Sequence, residues 1–148
     1  MTRKTERLGK HGEFKVCSYL SLYSDTVTII PHGSTTDLVA EFEGEILRFQ
    51  VKTTVQKRKR YDRKTGKFTG RSGWQFDMRR SGNTINRNYS GSVDIFVLYI
   101  KPMDKLLFFL PGEKQKISIT EKMAIEAVSD EMLKNCVQQC LNKRKYSK

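Results

Sequence analysis

Between Asp37 and Thr54 the sequence leaves the backbone little choice. Apolar and polar side chains alternate on both sides of Glu43-Gly44, the period-two signature of strands with one buried face. A two-residue turn at Glu43-Gly44 sets Phe42 against Glu45, Ala40 against Leu47 and Leu38 against Phe49. The last two pairs make an apolar face suited to packing under a helix. The same register brings Asp37 opposite Gln50, and directly opposed Cβ atoms lie about 4.5–5.5 Å apart. Oxygens on the two side chains then reach one cation. A three-residue turn would shift the register by one and send Asp37 and Gln50 to opposite faces, against the apolar pairs.

Alternation also puts Lys52 beside Gln50, so Arg48, Gln50 and Lys52 look one way while Leu47, Phe49 and Val51 look into the core. Carboxylate and amide oxygens suit the hard Mg²⁺ ion, which polarises a phosphate and activates a water. A lysine beside such an ion orients the water and offsets charge developing on phosphorus. The backbone carbonyl of Val51, between Gln50 and Lys52, is a further candidate ligand. Glu13 shares a helical face with Val16, Cys17 and Leu20. A carboxylate on an apolar stripe is costly without a cationic or metal partner, so Glu13 is placed over the sheet, completing the metal site.

The charge balance fits a phosphate-bearing partner. Lys and Arg number 28 against 16 Asp and Glu, a formal charge of +12, and counterion release favours such a surface on a polyanion. The basic run Lys57-Arg58-Lys59-Arg60, with Arg63, Lys64, Lys67 and Arg71, follows the Lys52 strand directly and is the first DNA-contact candidate. Tyr61 to Phe68 reads as a hairpin arm able to enter a groove. Arg79, Arg80 and Arg87 form a second candidate surface. Trp74 and Tyr99 read as core residues, and His32, between Pro31 and Gly33, as a loop residue.

At 148 residues the chain suits one domain with a single core. Met1 to Lys10 is charged rather than apolar, and no run approaches the ~20 apolar residues of a membrane span. Cys17, Cys136 and Cys140 lack the neighbours of a zinc set. The expectation is a cytoplasmic, DNA-associated protein with reduced, structural cysteines. A helix is expected over Thr5 to Tyr23, with Gly9 and Gly12 weakening its start. Strands follow at Val27 to Ile30, Asp37 to Phe42, Glu45 to Thr54, Trp74 to Arg79, Asp94 to Ile100 and Lys105 to Leu110. Gln56 to Gly73 reads as a basic loop or hairpin, Glu121 to Asn142 as one helix with Met123, Ala127, Met132, Val137 and Leu141 apolar, and Lys143 to Lys148 as a frayed basic tail. This order describes an α/β sandwich around a mixed sheet.

Gly12-Glu13 in a first helix, Asp37-Leu38-Val39 on a strand, and Gln50-Val51-Lys52-Thr53 ending the next together resemble the PD-(D/E)XK nuclease core. Gln50-Val51-Lys52, in place of the usual Glu-x-Lys, is most similar to the homing endonucleases of cyanobacterial group I introns. Tyr89 to Tyr99, with Asp94 opening an apolar strand, and Phe108-Phe109-Leu110-Pro111 are similar to that subgroup too. The resemblance implies a restriction-endonuclease-like α/β fold, a mixed sheet flanked by helices, over one nuclease domain at 1–148. It implies Asp37 and Glu13 as metal carboxylates, Gln50 in the place of the third acid, and Lys52 as the catalytic lysine. It further implies Mg²⁺, with Mn²⁺ a substitute, and site-specific cutting of double-stranded DNA to a 5′-phosphate and 3′-hydroxyl. One site per chain and two strands to cut suggest a homodimer; the subgroup implies a homotetramer. Other expectations within reach are a Holliday-junction resolvase, a restriction enzyme, a non-catalytic DNA-binding protein that kept the fold and, on charge alone, an RNA-binding protein.

Overall fold

In a computed structural model of the chain, describing residues 2–31, 34–78, 92–112 and 116–147, the hairpin forms in the expected register. Glu43 and Gly44 both take positive φ, 51° and 80°, the conformation that two-residue hairpin turns demand. Among the described residues the elements run α1 (Arg3–Leu20), β1 (Val27–Ile29), β2 (Leu38–Phe42), β3 (Glu45–Thr54), β4 (Arg58–Tyr61) and β5 (Phe68–Asp77). They continue with β6 (Ile95–Ile100), a single 3₁₀ turn (Lys101–Met103), β7 (Lys105–Phe109), β8 (Lys116–Thr120), α2 (Glu121–Glu126) and α3 (Ser129–Ser147).

Two sheets result. The larger has the order β1-β2-β3-β6-β7 and the smaller β4-β5-β8. All pairings are antiparallel except β3 with β6, which makes the large sheet mixed. Leu38, Ala40, Leu47, Phe49, Val51, Ile95 and Val97 bury one face of it under Val16 and Leu20 of α1 and Leu133 and Cys136 of α3. Phe96, Leu98 and Ile100 of β6 turn to the opposite face and meet Trp74, Phe76 and Ile119 of the small sheet. Strand β6 is buried on both faces, which explains why its sequence is continuously apolar rather than alternating. Trp74 and Tyr99 are core residues, as expected, at 3% and 2% exposure.

The structure corrects the sequence-based reading in several places. Helix α1 starts earlier, capped by the Thr2 hydroxyl accepting from the Thr5 N–H, and ends at Leu20 rather than Tyr23. Residues 58–77 form the long hairpin β4–β5, so Trp74 belongs to a strand that starts at Phe68. Strand β8 was not anticipated, although Ile117 and Ile119 alternate with polar neighbours. The segment 121–142 is two helices, because Ala127 adopts extended backbone at φ −66° and ψ 136°. Ser129 then turns its hydroxyl to the Leu106 carbonyl at 2.6 Å, while Asp130 and Glu131 occupy the first turn of α3, where acids complement the helix dipole. Met123 is exposed rather than apolar core.

The basic tail is helical to Ser147 instead of frayed. Its anchor is Arg144, which reaches Glu45 at 3.1 Å and Asp94 at 3.1 Å. Asp94 also accepts from the Arg48 backbone N–H at 2.8 Å and from its guanidinium at 3.2 Å. Burial alone would raise the Asp94 carboxyl, but the hydrogen bonds and charge of Arg48, with the charge of Arg144, hold it below the usual range. Arg144→Ala is expected to cost about 1–2 kcal/mol, because it leaves two half-buried carboxylates short of donors. A urea unfolding midpoint equal to wild type would remove Arg144 from the account of the tail.

Candidate active site

Three elements converge at the end of the β2–β3 ladder. The regular register runs to Leu38–Phe49; Asp37 lies one residue before β2 rather than inside it. Its N–H donates to the Phe49 carbonyl at 2.9 Å, and its carboxylate accepts from the Val51 N–H at 2.8 Å. Phe49 therefore directs its polar backbone groups toward β2. Alternation aims those of Val51 the same way, past the start of β2, so the Val51 carbonyl faces the flank that holds Asp37. Gln50 stands at the next step of the ladder. Its Oε1 is buried and, among the described residues, has no hydrogen-bond partner.

Glu13 reaches this place from α1. Gly12, one residue earlier, is buried against β3, and a Cβ there would lie 1.9 Å from Thr53 Oγ1. Glycine thus lets the helix backbone approach the strand closely enough for Glu13 to hydrogen-bond Asp37. Two carboxyl groups share a hydrogen bond only if one holds a proton. Burial, then the Asp37 charge and hydrogen bond, raise the Glu13 carboxyl from 4.5 to about 7, with Lys10 opposing.

That raised value has a consequence for stability. A carboxyl that binds its proton more tightly in the folded chain stabilises the fold below pH 4.5 and loses that contribution as pH rises to about 7. Glu13→Gln keeps a hydrogen-bonding side chain without the charge. In metal-free buffer the melting temperature of the variant is expected to exceed wild type at pH 8 and the gap to close by pH 5. Parallel melting curves at both pH values would show that the Glu13–Asp37 contact carries no such strain.

Lys52 is half-buried on the alternation face of Gln50, and β3 touches β5 of the small sheet. Strand β3, which carries Gln50 and Lys52, thus borders the β4–β5 hairpin. The donor set suits a divalent cation: two adjacent carboxylates, an orphaned amide oxygen that a cation would satisfy, and a backbone carbonyl beside them. Among the described residues no group of three or more His, Cys, Asp or Glu that could hold a metal ion occurs; here an amide stands in the place of a third acid.

Of the anticipated DNA contacts, Lys57, Arg58, Lys59, Arg60, Arg63, Lys64, Lys67 and Arg71 all lie on the β4–β5 hairpin or its flank. Lys57 pairs with Glu121 at 3.2 Å, which ties the hairpin base to α2. At the tip, Asp62 accepts from the Lys64 and Thr65 N–H groups at 2.7 and 2.9 Å. Tyr61 packs on Phe68, and Lys59 Nζ lies 5.5 Å from the Phe68 ring centre. Arg79, Arg80, Arg87 and His32 fall outside the described residues. Sequence reasoning did not reach the close approach of Gly12 to Thr53 that seats Glu13; the glycine was read as a helix weakness and as part of the Gly12-Glu13 motif.

The bacterial homing endonuclease I-Ssp6803I has a similar fold, with a TM-score of 0.61 at 20% identity over 95% of this chain and 97% of that one. No curated protein matches the sequence. The family model for PD-(D/E)XK endonuclease matches residues 3–140, nearly the whole chain and every element that builds the site, and the chain belongs to that family.

Proposed function

We propose that the protein is a Mg²⁺-dependent endonuclease that cuts double-stranded DNA at specific sites. The observation that carries this reading is the pairing of Glu13 and Asp37 beside the buried Gln50 Oε1, which has no hydrogen-bond partner among the described residues. Family membership supports divalent-metal phosphodiester chemistry. The fold shared with a homing endonuclease is consistent with it.

In this reading Asp37, Glu13, the Gln50 amide oxygen and the Val51 carbonyl hold the cation, with Mn²⁺ a substitute for Mg²⁺. When bound, the cation polarises the scissile phosphate and makes its water a stronger nucleophile near neutral pH. Glu13 gives up the proton it shares with Asp37 as the site fills, so loading is expected to weaken below about pH 7. The Val51 N–H holds the Asp37 carboxylate in place. Lys52 orients the attacking water and offsets charge on phosphorus. Most of the hairpin cations between Lys57 and Arg71 seat the flanking phosphates, and cutting leaves a 5′-phosphate. One site per chain calls for a homodimer or homotetramer to cut both strands, which favours a quasi-palindromic target.

A substrate panel tests the reading: random-site linear duplex, four-way junction, flap and single-stranded RNA, each in Mg²⁺ and in EDTA. Discrete Mg²⁺-dependent cuts in the duplex are expected. Cutting confined to the junction would instead make the protein a resolvase, and retention of all duplexes uncut would make it a DNA-binding protein.

A further inference from the structure

The outer face of the β4-β5-β8 sheet takes no part in the site above. Trp74, Phe76 and Ile119 turn inward against β6 and β7. Alternation therefore turns Gly73 and Gln75 outward, with Ser118 directly opposite Gln75 and Arg58 directly opposite Gly73. With Arg60 and Tyr61 these residues line an open concavity. Gly73 is one of the residues along it, and a Cβ there would lie 2.1 Å from the Ile119 carbonyl oxygen of β8, so the close approach of β8 keeps this position bare. Asp77, next along this face, stands opposite Lys116.

We propose that this face reads base edges in the major groove of the DNA target, Arg58 contacting guanine and Gln75 contacting adenine. The inference rests on the DNA-endonuclease reading and adds the residues that select sequence. A two-stranded ribbon fits the major groove. Arginine matches guanine O6 and N7 with two donors, and glutamine matches adenine N6 and N7 with an acceptor and a donor. An amide and a hydroxyl can both donate to phosphate oxygens, but the amide also carries an acceptor, which a phosphate leaves unused and the adenine edge pairs with its N6 amine. Gln75 is exposed and Ser118 half-buried on this face.

The spacing makes the proposal specific. Arg58 and Gln75 are diagonal neighbours across the hairpin, about 7–8 Å apart. That is close to two steps of the roughly 3.4 Å rise per base along one strand. The recognised guanine and adenine therefore stand two base pairs apart in each half-site. Lys59, directed away from Arg58 by alternation, serves the Phe68 ring instead.

A selection from randomised duplexes tests this, read once on molecules bound in EDTA and once on molecules cut in Mg²⁺. Wild type is compared with Gln75→Ala, Gln75→Glu and Arg58→Ala. Gln75→Ala is expected to erase an adenine preference of roughly 5- to 150-fold at one position per half-site. Gln75→Glu is expected to shift that position toward cytosine, whose N4 amine needs an acceptor. Arg58→Ala is expected to erase a guanine preference two steps away. Unchanged preferences in all three variants overturn the proposal, as does a uniform loss of affinity with preferences intact. If wild type binds with both preferences yet cuts nothing, the endonuclease reading fails and the base-reading face stands.

Discussion

Lys52→Ala is expected to slow cleavage at saturating DNA by at least about 10²–10³-fold while DNA binding stays within a few-fold of wild type. The magnitude is that of removing one preorganised group aimed at charge developing in a transition state. Position makes Lys52 the candidate: it lies two residues past Gln50 on β3, on the same face and half-buried, while its neighbour Val51 fixes Asp37. Binding distinguishes this role from a plain phosphate contact. A lysine that only touched phosphate would cost affinity in the variant and lower the salt slope by about one, leaving the rate of the bound complex alone. Strong residual cutting by Lys52→Ala would remove it from the mechanism.

The second large effect is salt dependence. Lys57, Arg58, Lys59, Arg60, Arg63, Lys64, Lys67 and Arg71 place eight cations on one hairpin and its flank. Asp62 is turned to its own backbone, and Glu121 engages Lys57. With ~6–10 phosphate contacts, affinity is expected to fall about 10³–10⁵-fold between roughly 50 and 200 mM salt. Replacing Lys64 and Lys67 together should flatten the slope by about two. A slope near zero in the wild-type protein would take the hairpin out of DNA binding altogether.

How much of this was legible in the sequence follows from where the information resides. The β2–β3 register is written locally, in apolar pairs flanking a turn dipeptide, and the structure adopts it. That Glu13 needs a partner over the sheet was legible, because a carboxylate on an apolar helical stripe is costly alone; its hydrogen bond to Asp37 and its seat on Gly12 were not. The break between α2 and α3 left no glycine or proline to mark it; Ser129 was the available signal, and its bond to Leu106 is tertiary. The ordered tail depends on Glu45 and Asp94, far from Arg144 in sequence, and no local pattern encodes that contact. The reading face of the small sheet was illegible for the same reason, since Ser118 meets Gln75 only once β8 is recognised as a strand.

The central claim is that the Glu13–Asp37–Gln50 cluster hydrolyses DNA through a bound divalent ion. Incubating wild type and Asp37→Ala with a random-site duplex library, in Mg²⁺ and in EDTA, tests it most directly. Discrete cuts by wild type in Mg²⁺ alone, absent from the variant, are the predicted result. Equal cutting by Asp37→Ala, or cutting that persists in EDTA, would contradict it.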